Sequence, residues 1–311
     1  MEFSHVSVLL NESIEGLNIQ SGGIYVDCTV GGAGHSSEIL KRLESNGHLY
    51  GFDQDAVAIE TARARLSKIS PQFTLIHTNF RNMKKELKDR GIEKVNGILF
   101  DLGVSSYQFD NGERGFSYNH DAVLDMRMDK RQDFNAYTLV NTWSEKDIAD
   151  ILFKYGEEKF SRQIARKIID FRKVKPLTTT FELVDIIKSA IPASKRKDGG
   201  HPAKRTFQAL RVAVNDELNV LRHALEDALE LLDEGGRISV ITFQSLEDRI
   251  VKETFKDASS GPSWKRGMPI TMTTEAAKFK LITKHPIVAS ENELENNNRA
   301  HSAKLRIIEK I

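Results

Sequence analysis

Residues 23–35 read Gly23-Ile24-Tyr25-Val26-Asp27-Cys28-Thr29-Val30-Gly31-Gly32-Ala33-Gly34-His35. The first seven are rich in β-branched and aromatic side chains, the composition of a short strand. Glycines at 31, 32 and 34 follow. Beyond them Ile39, Leu40 and Leu43 recur on one side of a helical pattern. A strand that runs through a glycine turn into a helix lets the backbone approach a ligand at the helix N-terminus. Alone the turn is weak evidence, because a tight strand–helix connection asks for glycine as well.

The same alternation continues outward. His48-Leu49-Tyr50-Gly51-Phe52-Asp53 reads as a second strand closed by an acid, and residues 55–68 as an Ala-rich helix. Phe73–His77 is a third strand, 81–90 a third helix, and Val95–Asp101 a fourth strand. Strands alternating with helices of this length predict βαβ units and a parallel sheet, an α/β Rossmann-like fold. From about Phe109 to Lys204 no strand pattern is found. Gly112 to Asp129 reads as an irregular loop. Ser144–Asp147 and Thr179–Glu182 are capping boxes that open helices, and Ile164, Ile168 and Phe171 mark one side of a basic helix between them. Pro192, Gly199-Gly200 and Pro202 then break the chain. The α/β pattern resumes with a helical stretch over 206–232, interrupted near Asn215, and a fifth strand Arg237–Phe243. Ser245-Leu246-Glu247-Asp248 is expected to cap a helix to about Phe255, residues 257–279 to form a loop, and Phe279–Thr283 with Ser302–Ile308 a final strand pair. The expected organisation is a discontinuous α/β domain, 1–108 plus 205–311, interrupted by an all-helical domain, 109–204.

Composition narrows the class. The chain has 311 residues, 40% hydrophobic and 29% charged, enough to bury a core. No apolar run approaches the ~20 residues of a membrane helix. The N-terminus lacks the basic and apolar regions of a secretory signal, so a cytoplasmic protein is expected. The single cysteine, Cys28, excludes an intrachain disulfide and a Cys-based zinc site. No spacing of Asp and His suggests another metal. The formal charge of +1 conceals an asymmetry: residues 159–211 carry 14 Lys/Arg against 4 Asp/Glu. A basic block on an acidic body is the footprint of a polyanionic partner, with a solvated helix face as the plainer explanation.

Three positions carry the candidate chemistry. The glycine turn is the first. Asp53, which ends the second strand 19 residues after Gly34, is the second. An acid there accepts hydrogen bonds from both hydroxyls of a ribose, or else caps the helix that follows. Asp101 is the third, since ligands of open α/β sheets sit outside the carboxyl ends of the strands. The surroundings contain Asp27, Asp53, Asp55 and Asp101, with Phe52 and Phe80, and no Lys or Arg in the Gly31–Gly34 turn. A pyrophosphate wants positive or amide-rich surroundings, whereas a sulfonium prefers acids and aromatic faces. That favours S-adenosylmethionine over NAD.

With these residues in view, the sequence closely resembles the ribosomal RNA small subunit methyltransferase H (MraW) family. The resemblance rests on His5-Val6-Ser7-Val8-Leu9-Leu10-Asn11-Glu12, the turn Gly31–His35, Asp101–Ser106, Glu113–Tyr118, Asp125–Asp129, Tyr155–Glu158, His201–Arg205 with Phe207–Arg211, and Asn298-Arg299 with Ser302–Arg306. It implies a class I S-adenosylmethionine-dependent methyltransferase with an inserted helical domain. The implied reaction is methylation of N4 of a cytidine in 16S rRNA at the decoding centre of the 30S subunit. The implied cofactor site comprises Gly32, Ala33, Gly34, His35, Asp53, Phe80, Asp101 and Gln108. Asp53 would hold the ribose, Phe80 would lie near the adenine, and Asp101 and Gln108 near the methionine end. Separately from the resemblance, the place of Asp101 at the end of the fourth strand makes it, or a nearby backbone carbonyl, the expected catalytic acceptor. RNA contacts are expected from Arg166, Lys167, Arg172, Lys195, Arg196, Lys197, Lys204 and Arg205, with Tyr107, Phe109, Phe116 and Tyr118 as base stackers or core aromatics. The oligomeric state is open, a homodimer included. Two positions depart from the family: Gln244 stands where histidine is usual, and His301 where arginine is common. The first removes an imidazole but keeps an amide that donates and accepts. It leaves open a non-catalytic ribosome-assembly factor; an NAD-dependent oxidoreductase shares the sheet and Asp53 but does not need the basic block.

Overall fold

The computed structural model describes residues 7–103, 112–196, 200–260 and 277–311. The chain divides into two compact units, one formed by residues 1–103 and 218–311, the other by 104–217.

The first unit is a seven-stranded sheet in the order β3-β2-β1-β4-β5-β7-β6. Its strands are β1 (Ile24–Asp27), β2 (His48–Asp53), β3 (Phe73–His77), β4 (Val95–Asp101), β5 (Leu232–Thr242), β6 (Phe279–Leu281) and β7 (Lys304–Lys310). The first five pair in parallel, and β7 runs antiparallel to both β5 and β6. Helices α1 (Leu10–Leu17), α2 (Gly34–Lys41), α3 (Ala56–Leu66) and α4 (Met83–Lys88) accompany the first four strands. The order reverses between β1 and β4, so the crevice of the sheet opens at the carboxyl ends of these two strands. Tyr25, Leu49, Leu99, Ile39, Leu40, Ala62 and Leu66 form the core between sheet and helices. Gly97 lies against the Tyr25 ring, where a Cβ would come within 2.7 Å of ring carbons. The fifth strand starts earlier than its hydrophobic run. Leu232 pairs with Val95 and Arg237 with Gly97, so Gly235-Gly236 falls within an irregular stretch of the strand rather than before it. The following helix, α11 (Ser245–Ser259), also differs from expectation. Its N-cap is Gln244, which forms a capping box with Glu247, one residue earlier than the box read from Ser245.

The second unit is helical. Among its described residues the β-type pairing is a single bridge, Val123 to Thr179. Its helices are α5 (Ala136–Thr142), α6 (Glu145–Gly156), α7 (Ser161–Arg172), α8 (Thr180–Ala190) and α9 (Lys204–Asn215). Asn135, Ser144 and Thr179 cap α5, α6 and α8 with their side chains, each cap contributing about 1 kcal/mol. Asp216, with φ of 51°, separates α9 from α10 (Glu217–Leu231), the interruption expected near Asn215. The expected insertion, 109–204, lies inside this unit, which also takes α9. The reason is packing: Phe207, Ala209 and Leu210 belong to the same core as Ile148, Leu152, Ile164 and Leu183. Gly156 lets α6 approach α9 closely, since a Cβ there would fall 2.5 Å from the Arg205 carbonyl oxygen.

The irregular segment 112–129 is pinned by buried polar groups. Arg114, almost fully buried, donates from Nη2 to the carbonyls of Arg127 (2.8 Å) and Met128 (3.2 Å). Asn215 accepts from Met128 N and donates to the Met126 carbonyl, both at 2.8 Å. No helix among the described residues is long and apolar enough to cross a membrane.

Candidate active site

Parallel register places three acids at one edge of the sheet. Asp27 ends β1 and pairs with Gly51 on one side and Leu99 on the other. Asp53 and Asp101 each lie two residues further along their strands. They therefore flank the glycine turn that follows β1.

Asp53 is fixed by the turn itself. Gly31 N donates to Oδ2 and Asp55 N to Oδ1, both at 2.9 Å. The helix after β2 takes its cap from Asp55, whose Oδ1 accepts from Val57 N. Asp53 is therefore not spent on capping, and each of its oxygens keeps a lone pair for a donor outside the protein. Burial, with the charges of Asp55 and Asp27, raises its carboxyl to about 6. At neutral pH it is ionised, the form that accepts from two hydroxyls. Beside it, Asn79 donates to the Gln54 side chain at 2.8 Å. Phe80 is half-buried and meets Phe100 edge to face at 5.6 Å.

The turn carries strain. Gly31 has φ of 50°, and Ala33, fully buried, has φ of 60° as the N-cap of α2. An alanine in the left-handed region costs about 1 kcal/mol, and such residues gather at ligand sites. A Cβ on Gly34 would collide with the Ser7 hydroxyl, so a larger residue there would force that side chain to move. The turn has no lysine or arginine of its own, but Arg65 of α3 reaches it and donates to the Gly32 carbonyl at 2.9 Å. This cation comes from another helix, which local sequence does not reveal.

Asp101 ends β4, half-buried, while Asp27 is the most buried of the three. The backbone N of Asp101 donates to Thr29 Oγ1 at 2.7 Å across the crevice. Its Oδ2 lies 3.7 Å from His35 Nδ1, and its Oδ1 is buried without a hydrogen-bond partner among the described residues. Burial, followed by the charges of Asp27 and Glu247, pushes the carboxyl up to about 8. Asp27 is itself raised by burial, although Ser36 Oγ (2.5 Å) and Thr29 N (3.0 Å) donate to it. Glu247 Oε2 accepts from the backbone N of Phe243 (3.0 Å) and Gln244 (3.1 Å). The sequence reading missed Thr29, Ser36 and the negative charge of Glu247 at this edge. Glu247 had a visible signal as a capping acid; the other two had none. A stranded carboxyl oxygen, a second free-faced carboxylate and an aromatic at the same edge fit an adenosyl ligand that carries a cation.

The described part of the expected site thus gathers Gly32, Ala33, Gly34, His35, Asp53, Phe80 and Asp101 in one unit. Gln108 lies outside the described residues, as do Tyr107, Phe109 and Lys197. In the second unit Phe116 is buried, and Tyr118 stacks face to face on His201 at 4.3 Å. Tyr118 also meets Phe207 edge to face. Of the expected RNA contacts, Arg166 and Lys167 lie on the exposed face of α7, opposite Ile164, Ala165 and Ile168. Arg166 is 3.8 Å from Glu145, an exposed and loose pair. Lys195, Lys204 and Arg205 are exposed, and Arg205 reaches the Glu157 carbonyl at 3.4 Å. Arg172 and Arg196 point differently. Arg172 Nη1 donates to the Val140 carbonyl at 2.8 Å in the last turn of α5, and Arg196 Nε to the Ile191 carbonyl at 2.9 Å. Arg162, which also faces water on α7, extends the exposed row.

The strand order, with an antiparallel β7 between β5 and β6, and the acid-lined crevice after a glycine turn define a class I S-adenosylmethionine-dependent methyltransferase. Comparison with known proteins narrows the class. The chain belongs to the MraW methylase family, whose model matches residues 2–311. It is 58% identical over 309 residues, 99% of each chain, to the ribosomal RNA small subunit methyltransferase H of Exiguobacterium sibiricum. Two solved structures are also similar. A protein from Clostridium thermocellum, assigned as an rRNA methylase, has a TM-score of 0.47 and 17% identity, over 99% of this chain and 100% of that one. A protein from Streptococcus mutans, assigned as a methyltransferase and solved with SAH, has a TM-score of 0.45 at 13% identity, over 99% and 100%.

Proposed function

We propose that this chain transfers a methyl group from S-adenosylmethionine to N4 of a cytidine in 16S rRNA, at the decoding centre of the 30S subunit. Membership of the family and the near-complete match to a small-subunit rRNA methyltransferase support the rRNA part of the reading. The observation that carries the chemistry is Asp101: a half-buried carboxyl at the crevice whose Oδ1 lacks a partner among the described residues.

S-adenosylmethionine supplies an electrophilic methyl on a sulfonium. Asp53 holds the ribose, the turn Gly32–His35 lets the backbone come close, and Phe80 offers its face to the adenine. The exocyclic nitrogen of cytosine is a poor nucleophile because its lone pair is delocalised into the ring. The Asp101 carboxyl accepts one amino hydrogen and turns the lone pair out of conjugation, so alignment and a fixed acceptor are its contribution. The methylated nitrogen is cationic and acidic, and its proton passes to water without a strong base. A histidine at position 244 is therefore not required. The Gln244 amide is used in the α11 capping box, a structural task that glutamine performs. Arg162, Arg166, Lys167, Lys195, Lys204 and Arg205 contribute phosphate contacts, which give affinity but little sequence information. Gln108 and Lys197 belong to the proposal on the resemblance alone.

The test uses 30S subunits from cells lacking this gene, the purified protein and methyl-labelled S-adenosylmethionine, followed by nucleoside mass spectrometry. Label in N4-methylcytidine is expected. Label in another nucleoside would overturn the assignment of the base. Absence of label, with S-adenosylhomocysteine still bound, would favour the assembly-factor reading.

A further inference from the structure

His35 opens the first turn of α2 and is buried, 5% exposed. Its Nε2 lies 3.2 Å from the Val8 carbonyl oxygen. A carbonyl only accepts, so the ring proton sits on Nε2 and Nδ1 carries a lone pair. Burial lowers the imidazole to about 4, so the ring is neutral at physiological pH. That lone pair faces Asp101 Oδ2 at 3.7 Å. An ionised Asp101 would set a negative oxygen against a lone pair, with Asp27 on β1 and Glu247 on α11 adding charge of the same sign. A protonated Oδ2 would instead set an O–H against an acceptor. Closing the gap by about 1 Å completes that hydrogen bond. Asp101 Oδ1, on the other side of the carboxyl, is buried and has no hydrogen-bond partner among the described residues.

We propose that His35 is a positioning residue for Asp101. Its unprotonated Nδ1 receives the proton-bearing Oδ2 and so holds the carboxyl in one orientation, with Oδ1 as its unprotonated oxygen. The inference rests on the reading of Asp101 as the acceptor at the reaction centre, and deepens it. His35 then acts through Asp101 by its side chain, in addition to the backbone it contributes to the turn. Among the described residues the groups that face Asp101 are Asp27, His35 and Glu247, from three different elements, and Thr29 engages only its backbone. Of these His35 is the one that offers a neutral acceptor.

The test is a carboxyl carbon-13 NMR titration of the ligand-free protein, with Asp101→Asn used to assign the Asp101 signal. His35→Gln keeps an amide donor near the Val8 carbonyl but has nothing at the Nδ1 position. Its Asp101 midpoint is expected to fall by about one pH unit, the effect of one lost hydrogen bond to the neutral form. His35→Asn places an amide oxygen near the Nδ1 position and is expected to restore the wild-type midpoint. A purely structural role for His35 would not separate the two variants. An unchanged midpoint in His35→Gln, or a fall in His35→Asn as large as in His35→Gln, overturns the proposal. If His35→Gln does not fold, His35→Asn against the wild type still decides: a lowered midpoint overturns it. The titration needs neither RNA nor cofactor. The expected midpoints in a protein that leaves no methyl label would sink the functional reading alone; label with an unshifted His35→Gln would sink this one alone.

Discussion

The acids at the sheet edge and the bases on α7 are both clusters of one sign, built in opposite ways. Asp27, Asp53 and Asp101 are brought together from three strands, withdrawn from water and fixed by backbone donors or by Thr29 and Ser36. Arg162, Arg166 and Lys167 come from a single helix and stand in water on the face opposite its apolar stripe. Burying acids this close together keeps the proton on Asp101 and leaves Asp53 ionised, and their fixed partners hold the sheet edge to a single geometry. Exposed charges on long side chains hold no fixed geometry and suit a diffuse polyanion. On the proposed function, chemistry falls to the first cluster and affinity to the second.

The largest effect that would break this division is at Asp101. Asp101→Ala is expected to lower the single-turnover methyl-transfer rate about a hundredfold or more, as loss of one preorganised polar contact does in other enzymes. Asp101→Asn, which keeps an acceptor oxygen, should lose much less. Near-normal turnover in the alanine variant would remove Asp101 from the reaction. Next is Asp53→Ala, for which calorimetry should show S-adenosylmethionine bound about tenfold to a hundredfold more weakly, the value of hydrogen bonds to a charged group. If the affinity is unaltered, the ribose assignment fails.

How far the two clusters were legible in the sequence differs for the same physical reason. Periodicity exposes elements, and a glycine turn followed by an acid-ended strand exposes the crevice. β1 to β4, the Thr179 capping box and the break before Asp216 were readable in that way; at Ser144 the expected box is a one-way cap, the hydroxyl accepting from Asp147 N. Contacts between elements were not. Nothing local tells that Arg65 reaches Gly32, that Thr29 holds the Asp101 backbone, or that Gln244 and not Ser245 caps α11. Charge counting likewise treats all arginines alike, although Arg172 lies on the inner side of α7, bonded to the end of α5. The strings Glu113–Tyr118 and Asp125–Asp129 carry the family resemblance, yet much of what they do is scaffold. Arg114 ties the loop to its own carbonyls, and Asp125 holds Arg127 at 2.7 Å. Gly115 has φ of 72°, and a Cβ on it would fall 2.5 Å from the Val123 oxygen.

That distinction among arginines yields a sharper comparison. Replacing Arg162, Arg166 and Lys167 together with glutamine should reduce the slope of log affinity for 30S subunits against log salt by about two to three. Arg172→Ala should leave that slope in place and cost about 1–2 kcal/mol of stability, read as a melting temperature lowered by a few degrees. An Arg172 variant that changes the salt slope would return this residue to the RNA-binding face.

A separate effect is a pH dependence of stability. Asp101 holds its proton up to about 8 in the folded protein, against an ordinary value of 3.8. Between these values the folded state binds more protons than the unfolded one, so this site makes stability fall as pH rises from about 4 to about 8. Asp101→Asn removes the titration. Its melting temperature relative to wild type should rise steadily across that range, and a pH-independent difference would contradict the raised carboxyl.

The division of labour is tested most directly by the methyl-transfer rate measured against 30S concentration, up to saturation, for both kinds of variant. The Arg162, Arg166 and Lys167 triple variant is expected to need more substrate but to reach the wild-type plateau, whereas Asp101→Ala saturates normally at a plateau about a hundredfold lower. A depressed plateau in the triple variant, or a full plateau in Asp101→Ala, would contradict it.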